Sequence, residues 1–181
     1  MGPTVTYLTE TYLRSFSRTT DGMTFKSRFV EMSKAQAKVS IFLSHSHKDK
    51  EVVEGLVSLL AYFGEISIYV DWQDSAMPRV TNRETAQTIK EKIAEHDCFL
   101  ILGTKNAMES RWVPWEIGIA DAAKSIERIA IIPVADPYGY FYGNEYLQLY
   151  QKIEVTENKM LGVFRPNVDR GPVLKSWLSQ L

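Results

Sequence analysis

A chain of 181 residues with 45% hydrophobic residues is long enough for one domain with a real core and too short for two ordinary domains with a linker. Its 21 basic and 22 acidic residues nearly cancel to a net charge of −1 and form no like-charge block, which disfavours nucleic acid and membrane surfaces as partners. The single cysteine, Cys98, has no partner for an internal disulfide, and no stretch approaches the roughly twenty apolar residues of a membrane span, so a reducing cytoplasm is the expected compartment.

Residues 1–36 carry aromatics and hydroxyls, a turn at Asp21-Gly22 and a second amphipathic run from Phe25 to Ala37. They predict an N-terminal helical extension open to partner contact, ahead of a main domain over 37–181. KVSIFLS predicts a strand. KEVVEGLVSLLAYF predicts a helix, with Val52, Val53, Leu56, Leu59, Leu60 and Phe63 on one face and Gly64 as its stop. ISIYV predicts a second strand, and Asp71 to Val80 a polar loop. Thr81 and Glu84 have the T-x-x-E spacing of a capping box, opening a helix whose stripe is Ala86, Ile89 and Ile93. DCFLILGT predicts a third strand, in which Cys98 serves as a small buried hydrophobe. SRWVPWEIGIADAAK opens a third helix and RIAIIPV is a fourth strand. After Pro137 come the aromatic stretch YGYFYGNEYLQLY, a short apolar run near Ile153 and a final helix from about Pro172 to Leu181.

Short apolar strands separated by amphipathic helices predict an α/β fold, a flavodoxin-like doubly wound parallel sheet. With strand order 2-1-3-4-5, the topology reverses between strands one and three, and a crevice opens beyond their carboxyl ends. The loop after strand one, Ser44-His-Ser-His-Lys-Asp49, then meets the segment from Gly103 to Glu116, with Asp71-Trp72-Gln73-Asp74 beside them.

Several chemistries lack their motifs. No glycine pattern fits a dinucleotide turn or a phosphate loop. His45 and His47 have no cysteine or further histidine at metal-ligand spacing, because His96 ends a different helix, so no metal is expected. Ser44 and Ser46 have no nucleophile elbow, and the default role of this loop is hydrogen bonding and capping. What stands out is Ser110-Arg-Trp-Val-Pro-Trp-Glu116. Pro114 belongs in the first turn of a helix, which sets Glu116 near the positive end of the helix dipole and one turn from Trp112. A carboxylate beside indoles suits a flat cationic ring; a capping glutamate among core tryptophans is the competing role.

IFLSHSHKDKEVV resembles the first strand and following loop of TIR domains, and the W-x-x-x-E from Trp112 to Glu116 resembles their catalytic helix motif. Together with YVDWQD, RETAQTIKEKI and GNEYLQLY, the chain is similar over about residues 38–155 to bacterial TIR proteins of antiphage defence, especially the Thoeris type. The resemblance implies cleavage of NAD+ at the nicotinamide–ribose bond, with NAD+ as substrate and no separate cofactor. The product would be ADP-ribose or a cyclic or conjugated form that reaches an effector protein. It further implies Glu116 as the catalytic residue, Trp112 as its aromatic neighbour, and Ser44, His45 and Asp71 as pocket residues. Trp72 is a further aromatic face for the ring. Self-association through TIR–TIR contacts is implied too. A non-catalytic TIR adaptor and a nucleoside N-glycosidase or deoxyribosyltransferase-like enzyme are the alternatives that fold alone does not separate.

Overall fold

In the computed structural model, which describes residues 6–18, 37–63, 65–74 and 82–181, strand alternation divides the core between two faces of one sheet. The strands are β1 (Leu8–Thr9), β2 (Val39–Ser44), β3 (Ile66–Tyr69), β4 (Cys98–Gly103), β5 (Ile129–Ala135), β6 (Gln151–Val155) and β7 (Leu161–Phe164). The helices are α1 (Glu10–Arg18), α2 (Lys50–Leu60), α3 (Arg83–Glu95), α4 (Lys105–Met108), α5 (Val113–Ala123) and α6 (Leu174–Leu178). Successive side chains leave a strand on opposite sides. Ile41, Leu43, Leu100, Leu102 and Ile132 therefore join Val53 and Leu56 of α2 in one core. Phe42, Phe99, Ile101 and Ile131 join Ile89 and Ile93 of α3 and Val113 and Ile117 of α5 in the other. With both faces covered, β4 and β5 are buried at every position, which is why they read as continuous apolar runs.

Strand order is β3-β2-β4-β5-β6-β7, so the first five core strands in sequence take the expected flavodoxin-like order 2-1-3-4-5. Every pairing from β3 across to β6 is parallel, and β7 returns antiparallel to β6. The register puts Phe42 opposite Tyr69 on one side and Phe99 on the other. The three rings form a stack across three strands, with centroids 5.4 and 5.5 Å apart, and this fixes β2, the strand that carries the crevice loop, against slippage.

Five details differ from the sequence expectations. The N-terminal segment supplies a strand as well as a helix, and both bury their apolar side chains in the main core: Leu8 is 3% and Leu13 0% exposed. β6 pairs with β5 only at Ala130 and Ile131, and β1 takes up the far end of β5 at Val134 and Ala135. The capping box of α3 is shifted by one residue. Asn82 Oδ1 accepts the Thr85 N–H at 2.9 Å and Thr85 Oγ1 accepts the Asn82 N–H, because an asparagine carbonyl caps as well as a threonine hydroxyl, and Glu84 falls in the first turn. α2 ends at Leu60 and tightens into a 3₁₀ turn over Ala61–Phe63. Last, the short helix α4 and the strand β7 have no counterpart in the sequence expectations. The turn at Asp21-Gly22, the run from Phe25 to residue 36, Gly64, and residues 75–81 of the polar loop and its expected cap lie outside the described residues. Among the described residues no helix is long and apolar enough to cross a membrane.

Two helical glycines separate close packing from propensity. A Cβ on Gly55 would stand 1.8 Å from the Leu13 carbonyl oxygen, since α1 crosses α2 at that point, whereas a Cβ on Gly118 of α5 would meet nothing within 4 Å. Gly55→Ala is expected to destabilise by about 1–3 kcal/mol through overpacking. Gly118→Ala is expected to stabilise by roughly 0.5–1 kcal/mol through helix propensity. Urea denaturation of the two variants checks both signs, and equal effects would contradict the α1–α2 crossing.

Candidate active site

The local sequence aims Glu116 inward. Ser110 Oγ accepts from the Trp112 and Val113 N–H groups, closing the start of α5. Pro114 occupies the second helical position, where its missing donor costs nothing. Glu116 N–H then donates to the Trp112 carbonyl at 2.9 Å, the first α-helical bond of the segment. The Glu116 side chain is 6% exposed and accepts a hydrogen bond of 2.5 Å from Ser44 Oγ at the carboxyl end of β2. The crevice expected between the first and third core strands is thus spanned by a direct bond.

Beside it, His45 is buried and its Nδ1 lies 2.8 Å from the Leu43 carbonyl. Asp71, at the end of β3, faces both histidines: Oδ2 is 2.7 Å from His47 Nε2 and Oδ1 is 3.3 Å from His45 Nε2. The second approach is too poorly aligned for a hydrogen bond, and His45 Nε2 has no other partner. Asp71 Oδ1 also accepts from the Trp72 N–H at 2.7 Å, and the Trp72 ring meets His45 edge-on with centroids 4.5 Å apart. Ser44, His45, Asp71, Trp72 and Glu116 therefore come together at one end of the sheet. Trp112 is joined to Glu116 through the backbone. Its half-buried ring stands edge-on against Trp115 at 5.2 Å and packs against the core shared by α3 and α5.

Burial and charge set the protonation states. Burial pushes the Glu116 carboxyl up to about 7, against the Ser44 hydrogen bond and the His45 charge, which pull it down, while Asp71 adds to the rise. Burial also raises Asp71, but the close approach of His45, the hydrogen bond with His47 and the charge of both histidines outweigh it and hold that carboxyl well below its usual range. The hydrogen bond to Asp71 raises His47 above its ordinary value, burial opposes this, and the charges of Asp71 and Glu116 add to the rise. Two neighbouring carboxyls thus have opposite tendencies, the buried one easily protonated and the histidine-paired one firmly ionised.

Two contributors are not evident in the sequence. His47 reads as a loop hydrogen-bonding residue, and its partner, Asp71, comes from the turn after β3. Asp49, fully buried, accepts from Thr104 Oγ1 at 2.5 Å and from Asn106 Nδ2 at 2.6 Å. It pins the loop after β2 to the start of α4, which follows β4. The only signal for it was a hydroxyl and an amide placed just after the third core strand.

Residues 41–159 match the TIR domain family. Over 114 residues the chain is 37% identical to a Bacillus cereus (strain MSX-D12) protein named 3' cyclic ADP-D-ribose synthase ThsB', covering 61% of this chain and 58% of that one. Over 93 residues it is 29% identical to a Cytobacillus dafuensis protein that bears the name cyclic ADP-D-ribose synthase TIR2, covering 49% of this chain and 24% of that one. The chain thus spans little more than half of one relative's length and a quarter of the other's. A solved prokaryotic SEFIR domain superposes with a TM-score of 0.43 at 14% identity, over 67% of this chain and 90% of the other.

The raised Glu116 carboxyl has a consequence for stability. The folded protein holds this proton more tightly than the unfolded chain, with about 7 against an ordinary 4.5. Its contribution is therefore full below 4.5 and declines as pH rises to about 7. Glu116→Gln has no such decline, so its stability relative to wild type is expected to improve between about pH 5 and pH 7 and then level off. Urea denaturation of both proteins over that range checks this, and a pH-independent difference would contradict the burial of an ionisable carboxyl.

Proposed function

The chain belongs to the TIR domain family, and on that premise we propose that it cleaves NAD+ at the nicotinamide–ribose bond and forms a cyclic ADP-ribose signal. The observation that carries the proposal is Glu116, a buried carboxyl held by Ser44 at the topological switch point of the sheet. The names of the two relatives, both cyclic ADP-D-ribose synthases, support the same substrate and product class.

Nicotinamide in NAD+ leaves as a neutral base because its ring nitrogen is already cationic. The C1′–N bond breaks with its electron pair going to that nitrogen, and no acid needs to protonate the leaving group, unlike ordinary glycoside hydrolysis. Positive charge moves onto the ribose ring as the bond stretches. An ionised Glu116 in a dry site stabilises that charge far more than water would. A nucleophile, either water or an atom of the same ADP-ribosyl group, then bonds to C1′. A hydroxyl nucleophile must lose a proton, and a carboxylate with a pKa near neutrality is suited to accept it. Ser44 orients Glu116, and Trp72 offers a face for the pyridinium ring by stacking and cation–π attraction. His45 and Asp71 line the same pocket. Trp112 shapes the start of α5 and gives a second aromatic surface near the helix terminus.

The protein acts in the cytoplasm as part of antiphage defence, with the cyclic nucleotide as the messenger to a separate effector. TIR domains associate with one another, and the turn Asp71–Gln73 lies beside the pocket. Assembly of TIR domains completes the substrate site.

Glu116→Gln is expected to lower NAD+ turnover by about 10²–10³ at unchanged circular dichroism, followed as nicotinamide release by chromatography. Wild-type turnover in this variant would overturn the assignment. For the wild type, kcat/KM is expected to rise with pH through about 7 and then hold level, because the working form of Glu116 is the ionised one. A profile flat from about pH 5 to pH 8 would remove Glu116 from the rate-determining chemistry. Specific activity is also expected to increase with protein concentration. Constant activity over a wide dilution series, with light scattering showing a monomer throughout, would reject assembly as the switch.

A further inference from the structure

The two histidines after β2 have no third metal ligand nearby in sequence, but the fold brings one from the end of β3. His45 Nδ1 lies 2.8 Å from the Leu43 carbonyl oxygen. A carbonyl only accepts, so Nδ1 carries the hydrogen, and Nε2 is the ring nitrogen left to bind a cation, either a proton or a metal ion. It faces an acceptor, Asp71 Oδ1, 3.3 Å away. The His45 side chain is 3% exposed, and Nε2 is the one buried side-chain polar atom among the described residues without a hydrogen bond. A buried imidazole nitrogen and a carboxylate that face each other without a hydrogen bond can share a cation. An imidazole N–H anchored on a backbone carbonyl is also the arrangement that orients metal-ligating histidines. His47 Nε2 adds a third ligand atom, 2.7 Å from Asp71 Oδ2, and the three groups offer ligand atoms that all lie within 4.8 Å of one another.

We propose that His45, His47 and Asp71 form a binding site for a divalent transition-metal ion of the Zn2+ class, joining the loop after β2 to the turn after β3. The donor set decides the class. Two imidazole nitrogens and one carboxylate suit Zn2+ and its first-row neighbours, whereas Mg2+ and Ca2+ take oxygen ligands. Such ions hold their ligands at about 2.0–2.2 Å, and His47, whose side chain is 72% exposed, can rotate to close the remaining distance. Binding displaces the proton between His47 Nε2 and Asp71, which leaves to solvent. Three protein ligands leave a fourth position for water or for an oxygen of a substrate. Metal binding stands independently of the NAD+ reading, although the ion would sit in the same pocket.

The test titrates the full chain with Zn2+ by calorimetry and with Co2+ by visible absorption. One ion per chain is expected, with the absorption of tetrahedral Co2+ and proton release on binding. His47→Ala, at an exposed position, is expected to keep the wild-type circular dichroism spectrum and to weaken binding by at least about tenfold. His96→Gln, on a different helix, is expected to bind as wild type. Absence of saturable binding would overturn the site, leaving a second proton on His45 as the cation that faces Asp71. Wild-type affinity in His47→Ala, or loss of binding in His96→Gln, would overturn it as well. Glu116→Gln is expected to bind the ion as wild type does, so that failure of the metal site and failure of NAD+ cleavage show up separately.

Discussion

The Ser44–Glu116 hydrogen bond ties the end of the first core strand to the helix that follows the third, across 72 residues of sequence. An ionisable carboxyl buried to 6% exposure is costly unless something holds it, and here a single hydroxyl does so. That one partner is enough to orient the group but too little to keep it fully ionised, so its pKa comes to rest near neutrality. The remainder of the site follows from this compromise. Asp71 is kept ionised by two histidines, Asp49 fixes the loop that follows Ser44, and the Tyr69–Phe42–Phe99 stack holds β2 in register.

Strand order gives this arrangement its location. Parallel strands flanked by helices on both faces leave backbone ends free only at the sheet's termini, and a crevice opens where the connections depart in opposite directions. β2 and β4 are those neighbours. Their following loops are polar and short, and both are anchored by buried side chains, Asp49 on one and Thr104 on the other. Such anchoring holds the side chains around the crevice in place before any ligand arrives.

Much of this was legible in the sequence because periodicity reports burial. The runs VSIFLS, CFLILG and IAIIPVA are apolar on both faces and could only be central strands, and the helix stripes between them imposed the doubly wound order. Pro114 and the glutamate two residues later marked the start of α5. Other features carried no such signal. β1 is two residues long and exists only because β6 leaves the far end of β5 unpaired. β7 is a short return strand containing Gly162. The capping residue of α3 moved by one because Thr81 and Asn82 are both competent caps. The pairing of His47 with Asp71 depends on where β3 delivers the chain, which spacing within one loop does not encode.

We propose that Glu116, a carboxyl poised near neutrality, responds to a cation on the substrate. The most direct measurement is the carboxyl 13C shift of Glu116 in labelled protein, followed against pH with and without a non-cleavable NAD+ analogue. The expected titration has its midpoint near 7 in the free protein, and the midpoint moves down when the cationic ring binds, because a nearby positive charge favours the carboxylate. A midpoint at the ordinary value for glutamate, or one near 7 that the analogue leaves unmoved, would contradict the account.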